Sequence, residues 1–203
     1  MLVQIYPDNP DPKRMQKAVE ILRNGGVIIY PTDTIYAIGC DALNVKAVAK
    51  VAEIKGVKPE KANFSIICFD LSHISTYARI DTPDYKIMKK NLPGPFTFIL
   101  NGSSALPKIL NNKRKEVGIR VPNNNIARQL TEMLGNPLIA TSVHDDDEVL
   151  EYTTDPELIY EKYQNRVDMV INGGYGKNEA STVVDLTKGE VEILRQGAQE
   201  LVL

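Results

Sequence analysis

The sequence predicts an α+β chain, a three-layer sandwich with helices on both sides of a central mixed sheet. Three observations carry this. Short apolar, β-branched runs and amphipathic helical stretches intermix along all 203 residues. No repeat, low-complexity linker or domain boundary interrupts them, so one domain is expected over residues 5–200. Near the C-terminus, two tight strand pairs argue against a purely parallel βαβ winding.

The elements follow in order. Asp11 can cap a first helix, Pro12 suits its first turn, and Met15, Ala18, Val19 and Leu22 share one face before Gly25 and Gly26 stop it. A strand at 27–30 runs into YPTDTIYAIGCDA, where two threonines flank an acid at a strand end. A second helix covers 44–54, with Val45, Val48, Ala49 and Ala52 on one face. A buried strand is expected at 64–68, and Asp70 and Thr82 are candidate caps of two further helices. Strands follow at 96–100 and 117–121, a helix at 124–134 ending at Gly135, and a strand at 138–141. HDDDE, 144–148, reads as an exposed loop, and Asp155 and Pro156 open another helix. The last strands are expected at 167–171, 182–186 and 191–194, with Gly173, Gly174 and Gly176 in a loop between the first two.

Composition narrows the class. With 43% hydrophobic and 25% charged residues, the chain has the makeup of a soluble globular protein. No apolar stretch approaches the ~20 residues of a membrane helix. The N-terminus turns polar too early for a secretory signal. Cys40 and Cys68 lack metal-type spacing and sit among apolar residues, which suits reduced, buried thiols in the cytoplasm. His73 and His144 form no recognisable metal set with them, so no metal site is expected.

Phosphate-binding glycine motifs are missing: there is no GxGxxG after the first strand and no GxxxxGK[ST]. INGGYGKN is a turn, or a place where a ligand approaches closely. No nucleophile elbow is present. What remains is a set of polar groups near strand ends: Thr32, Thr34, Lys55, Lys58, Lys113-Arg114-Lys115, Arg120, Thr141-Ser142, Ser181-Thr182 and Arg195. Residues 46–120 hold 14 Lys/Arg against 6 Asp/Glu, a net of +8, while the whole chain carries −2. An anion-binding cleft accounts for the set, with nucleotide, phosphate or RNA as the partner. Arg120 and Arg195 lie in or beside apolar strands, so each needs either an internal salt bridge or a carboxylate or phosphate ligand.

These segments resemble a known family. YPTDTIYAIGCDA is similar to its PT[DE]T-x-YG-L motif and PGPFTFIL to its PGP-x-T-x-x-L segment. GIRVPNNNIA is similar to V-R-x-P-x-x-x-x-A, and STVVDL and ILRQGA to its last two motifs. The five occur in family order across roughly residues 10–200. The family is that of the YrdC-like threonylcarbamoyl-AMP synthases, and KANFSIICFDLSHIS and NNKRKEVGIRVP look most like its YciO subgroup.

The resemblance implies a YrdC/RibB-like α+β domain, its twisted mixed sheet surrounding a large positively charged cavity. It implies a nucleotidyltransferase that joins L-threonine, bicarbonate and ATP, carried with Mg²⁺, into threonylcarbamoyl-AMP, with no permanently bound cofactor. Partner proteins would then pass the threonylcarbamoyl group to a tRNA adenosine. By position, Thr32, Thr34, Arg120 and Ser181 would bind threonine, Arg120 by a two-point match to its carboxylate. Lys55, Lys58, Thr141, Ser142 and Arg195 would bind nucleotide, and Lys55, Lys58 and Arg195 would carry the catalysis. Two elements depart from the family. Its K-x-R-P reads IKGVKP, with Val57 in place of arginine, and its S-A-N reads Ser142-Val143-His144. A lost charge-assisted bond is worth ~1.5–3 kcal/mol, about one to two decades in rate. The synthase expected is therefore a weak one. The alternative is a protein binding double-stranded RNA or tRNA through Lys113, Arg114 and Lys115, with little synthase activity.

Overall fold

In the computed structural model, residues 1–110, 115–143 and 153–203 are described. The loop expected at 144–148, and Lys113 and Arg114, lie outside them. Among the described residues, eleven strands form one mixed sheet: β1 Leu2–Gln4, β2 Ile28–Tyr30, β3 Ala37–Gly39, β4 Ser65–Ile67, β5 Ala78–Arg79, β6 Phe96–Gly102, β7 Glu116–Arg120, β8 Leu138–Ser142, β9 Met169–Asn172, β10 Thr182–Asp185 and β11 Glu192–Arg195. Six helices accompany it there: α1 Pro12–Arg23, α2 Val45–Ile54, α3 Leu71–Tyr77, α4 Thr82–Asn91, α5 Asn125–Leu134 and α6 Pro156–Tyr163.

The strand order is β1-β9-β2-β3-β8-β4-β7-β6-β10-β11, with β5 beside β6. Parallel pairs (β1 with β9, β2 with β9, β4 with β7, β6 with β10) occur among antiparallel ones, so the sheet is mixed as expected. Because side chains alternate along a strand, Ile28 and Tyr30 face α1 and α5, packing with Met15, Leu22, Ile126 and Leu130. Val27 and Ile29 face the other way, into the core shared by Val48, Val51, Ile74, Met88 and Ile159 of α2, α3, α4 and α6. Around β2 both sheet faces are covered, which is why that strand reads as an unbroken apolar run. The three layers are therefore present.

Asp11 caps α1 through its side chain, which accepts from Arg14 N–H at 2.9 Å. Asp11→Ala is expected to cost about 1 kcal/mol, read as a lower urea midpoint at unchanged slope. Asp70 caps α3 as anticipated, but α4 is capped by Asp81, with Thr82 its first helical residue. Strands β1, β3 and β5, each only two or three residues long, had no counterpart among the expected elements. Such strands are defined by their neighbours, not by their own pattern. Of the strands near the C-terminus, β10 and β11 pair with each other, while β9 lies between β1 and β2 on the far side of the sheet. Cys40 and Cys68 are buried and outside any disulfide, and burial pushes both thiols well above their ordinary range. No helix among the described residues is long and apolar enough to cross a membrane.

Candidate functional site

The central strands open onto a cavity of about 770 Å³. Its floor is a transverse row of small residues. Ala140 of β8 pairs with Ser65 of β4, and Ser65 with Gly118 of β7. A Cβ on Gly118 would lie 3.0 Å from Ser65 Oγ and 3.1 Å from Thr97 Cγ2, so a bare backbone there keeps the floor low.

The PTDT segment forms one wall. Thr32 turns its hydroxyl into its own loop, accepting from Thr34 N–H at 3.0 Å and donating to the Ile35 carbonyl at 2.8 Å. Thr34 is the threonine of this segment that lines the cavity. Asp33 reaches across to the end of β7. Its Oδ1 accepts from Arg120 Nη2 at 2.9 Å and its Oδ2 from Asn123 N–H at 2.8 Å. The same Nη2 donates to Thr34 Oγ1 at 2.8 Å. Arg120 thus has the internal carboxylate that its buried strand position requires. Among the described residues its Nε has no partner. Burial pulls this guanidinium below its ordinary proton affinity, and the Asp33 carboxylate pulls the other way; arginine stays charged under both.

The glycine loop braces this wall from behind. Tyr36 donates its phenol to the Gly174 carbonyl at 2.6 Å and accepts from Gly173 N–H at 3.0 Å. Burial pushes that phenol up to about 12, so it remains a donor. A Cβ on Gly173 would meet Pro31 at 2.7 Å, and one on Gly176 would meet the Tyr36 ring at 2.7 Å. The close approach that these glycines allow is to the PTDT wall itself.

The opposite wall comes from β6, β10 and β11. Ser181 and Thr97 share a hydrogen bond of 2.7 Å between their hydroxyls, both buried. Arg195 grips the Ser181 carbonyl with Nε at 3.1 Å and Nη2 at 2.9 Å. A Cβ on Gly197 would overlap the Ala180 carbonyl, so ILRQGA needs its glycine to pass Ser181. The apolar setting expected for Arg195 is not met: β11 is exposed along its whole length. Thr141 and Ser142 line a third side, and Lys55 Nζ donates to the Ser142 carbonyl at 2.9 Å, outside the lining but at its rim. Lys58 and Lys115 are exposed and outside the lining.

Of the residues singled out by sequence, Thr34, Arg120, Thr141, Ser142, Ser181 and Arg195 converge on this one cavity. Sequence reasoning missed Thr97, Asn63, Ser65, Glu60 and Glu116, which also line it, and it missed the Asp33 contact. Alternation could have found Thr97: Phe96 and Phe98 are core residues, so Thr97 had to face the other side. The charged residues described in the lining are two arginines and two glutamates. Among the described residues the lining thus carries as many acidic as basic side chains; Lys113 and Arg114, between the lining residues Leu110 and Glu116, lie outside them.

Residues 20–197 match the family model of Sua5, YciO and YrdC, which is described as telomere recombination. YciO of Escherichia coli K12 is 42% identical over 199 residues, 97% of this chain and 95% of its own. The crystal structure of E. coli YciO superposes with a TM-score of 0.91 at 40% identity, covering 98% of this chain and 97% of that one. A Methanocaldococcus jannaschii protein, provisionally named a threonylcarbamoyl-AMP synthase, is 33% identical over 201 residues, 97% of this chain and 92% of its own. P. abyssi Sua5, crystallised with L-threonine, shares the fold at a TM-score of 0.86 and 24% identity, over 97% of this chain and 57% of that one.

Proposed function

The chain belongs to the Sua5/YciO/YrdC family, and from that premise we propose that it is an L-threonylcarbamoyladenylate synthase of modest rate, working in the cytoplasm as one domain over residues 5–200. Its substrates are L-threonine, bicarbonate and ATP, the last carrying Mg²⁺. Its product serves partner proteins that modify a tRNA adenosine. One observation carries the reading: Thr34, Arg120, Ser181 and Arg195 line a single cavity, whose 770 Å³ suits an amino acid beside a nucleotide.

Threonine's carboxylate meets Arg120 and Thr34, and its deprotonated amine attacks the carbon of bicarbonate, forming the C–N bond of a carbamate as water leaves. A carbamate oxygen bonds to the α-phosphorus of ATP, the α–β phosphoanhydride bond breaks, and pyrophosphate leaves. Arg195, with Lys55 at the rim, counters the charge that grows on the phosphates. Val57 and the outlying Lys58 leave the phosphate end with fewer cations than the family pattern provides, which is the physical reason for a modest rate.

The test is pyrophosphate release in the presence of ATP, Mg²⁺, bicarbonate and threonine. Release should depend on both threonine and bicarbonate and fall at least tenfold in Arg195→Ala. Release no greater than in a protein-free control would contradict the proposal. The double-stranded RNA reading has less support: of the residues it rests on, Lys115 lies outside the cavity lining, and Lys113 and Arg114 lie outside the described residues.

A further inference from the structure

The cavity presents fixed charges of both signs: Arg120 and Arg195 line it, and so do Glu60 and Glu116. Behind Arg120 stands another charge, Asp33, whose side chain is 8% exposed against 9% for Arg120. Both hydrogens of Arg120 Nη2 point at protein oxygens, Asp33 Oδ1 and Thr34 Oγ1. A ligand therefore meets this guanidinium through Nη1. The two-point grip on a carboxylate, expected of a free arginine fork, is halved. Asp33 cannot turn aside, because its second oxygen is held by Asn123 N–H at 2.8 Å.

We infer that Asp33 is a specificity-determining residue: the buried Asp33–Arg120 pair selects a zwitterionic amino acid over an acid of the same shape that lacks the ammonium group. The inference rests on the amino-acid reading given above and deepens it. A buried pair is screened far less than surface charges, so a ligand carboxylate feels Asp33 as well as Arg120. The pair offers it N–H donors without surplus positive charge. A ligand's own ammonium restores the balance, since Glu60 and Glu116 line the same cavity and the Asp33 charge stands just behind its Arg120 wall. An acid without that ammonium adds a negative charge that nothing in the pair answers.

The experiment is calorimetric titration of the whole chain with L-threonine and with β-hydroxybutyrate, which is threonine with hydrogen in place of the ammonium. The wild type should bind L-threonine at least tenfold more tightly. In Asp33→Asn the pair carries a net positive charge, and the preference should shrink at least tenfold. A ratio cancels general damage to the site, including the amide hydrogens that the substituted side chain would turn toward Asn123 N–H or Arg120. A wild type that binds both equally overturns the inference even if the variant does not fold, and so does a preference that Asp33→Asn leaves unchanged. In both cases threonine still binds, so the amino-acid reading stands and only the role of Asp33 falls. A wild type that binds neither removes the amino-acid reading and this inference together.

Discussion

Arg120→Ala is expected to lower the unfolding free energy by about 3–5 kcal/mol and to abolish threonine-dependent pyrophosphate release. The two losses share one cause. Nη2 joins Asp33 and Thr34, tying the PTDT wall to the end of β7. Without it, the Asp33 carboxylate stays buried with, among the described residues, the Asn123 N–H as its donor. Removing one member of a buried pair is much worse than removing both, because the surviving charge is left without compensation. Asp33→Asn placed on the Arg120→Ala background should therefore recover part of the stability and none of the activity. Denaturant titration reads the first effect and pyrophosphate release the second. If Arg120→Ala kept full stability, the ion pair would not be holding the wall.

Gly39→Ala should be destabilising on a similar scale, with no ligand involved. A Cβ there would overlap the Ile139 carbonyl oxygen and lie 2.9 Å from Tyr30 Cε1. The ring of Tyr30 crosses the bare Cα, and its hydroxyl donates to that same carbonyl at 2.7 Å. Burial raises the Tyr30 phenol far above its ordinary range, so it is always protonated and always a donor. An added methyl must push apart β3 and β8 or displace Tyr30. Overpacking costs about 1–3 kcal/mol, and a buried hydroxyl left unpaired adds about 1–3 kcal/mol. Against a typical stability of about 5–15 kcal/mol, the sum approaches unfolding. Gly56→Asn is the contrast, at φ +65 with nothing within 4 Å. Asparagine tolerates that conformation, so its effect should stay within about 0.5 kcal/mol. Thermal melts of the two variants side by side decide the point.

The helices were the most legible part of the fold, because their signals are local. Asp11 with Pro12, and Asn124 with Gly135, mark the ends of α1 and α5 within a few residues of sequence. The short strands were not legible. Nothing within Leu2–Gln4 points to β9, more than 160 residues away, with which it pairs. The site divides the same way. Motif order brought out Thr34, Arg120, Ser181 and Arg195, but not how they are held. Asp33 read as one more turn acid, because its partner lies 87 positions along the chain. The glycines of INGGYGKN carried no sign that they make room for Pro31 and Tyr36. Lys58 is the cation nearest in sequence to Val57, yet it stands at the start of the turn Pro59–Lys61, exposed and outside the lining.

The most direct measurement is an electron-density map of the protein crystallised with ATP, Mg²⁺ and L-threonine. The expected result is one cavity holding both ligands, with the amino-acid carboxylate on Arg120 Nη1 and Thr34 and the phosphates toward Arg195 and Lys55. Threonine bound elsewhere, or ATP filling the Arg120 wall, would contradict the claim that this cavity is built to join the two.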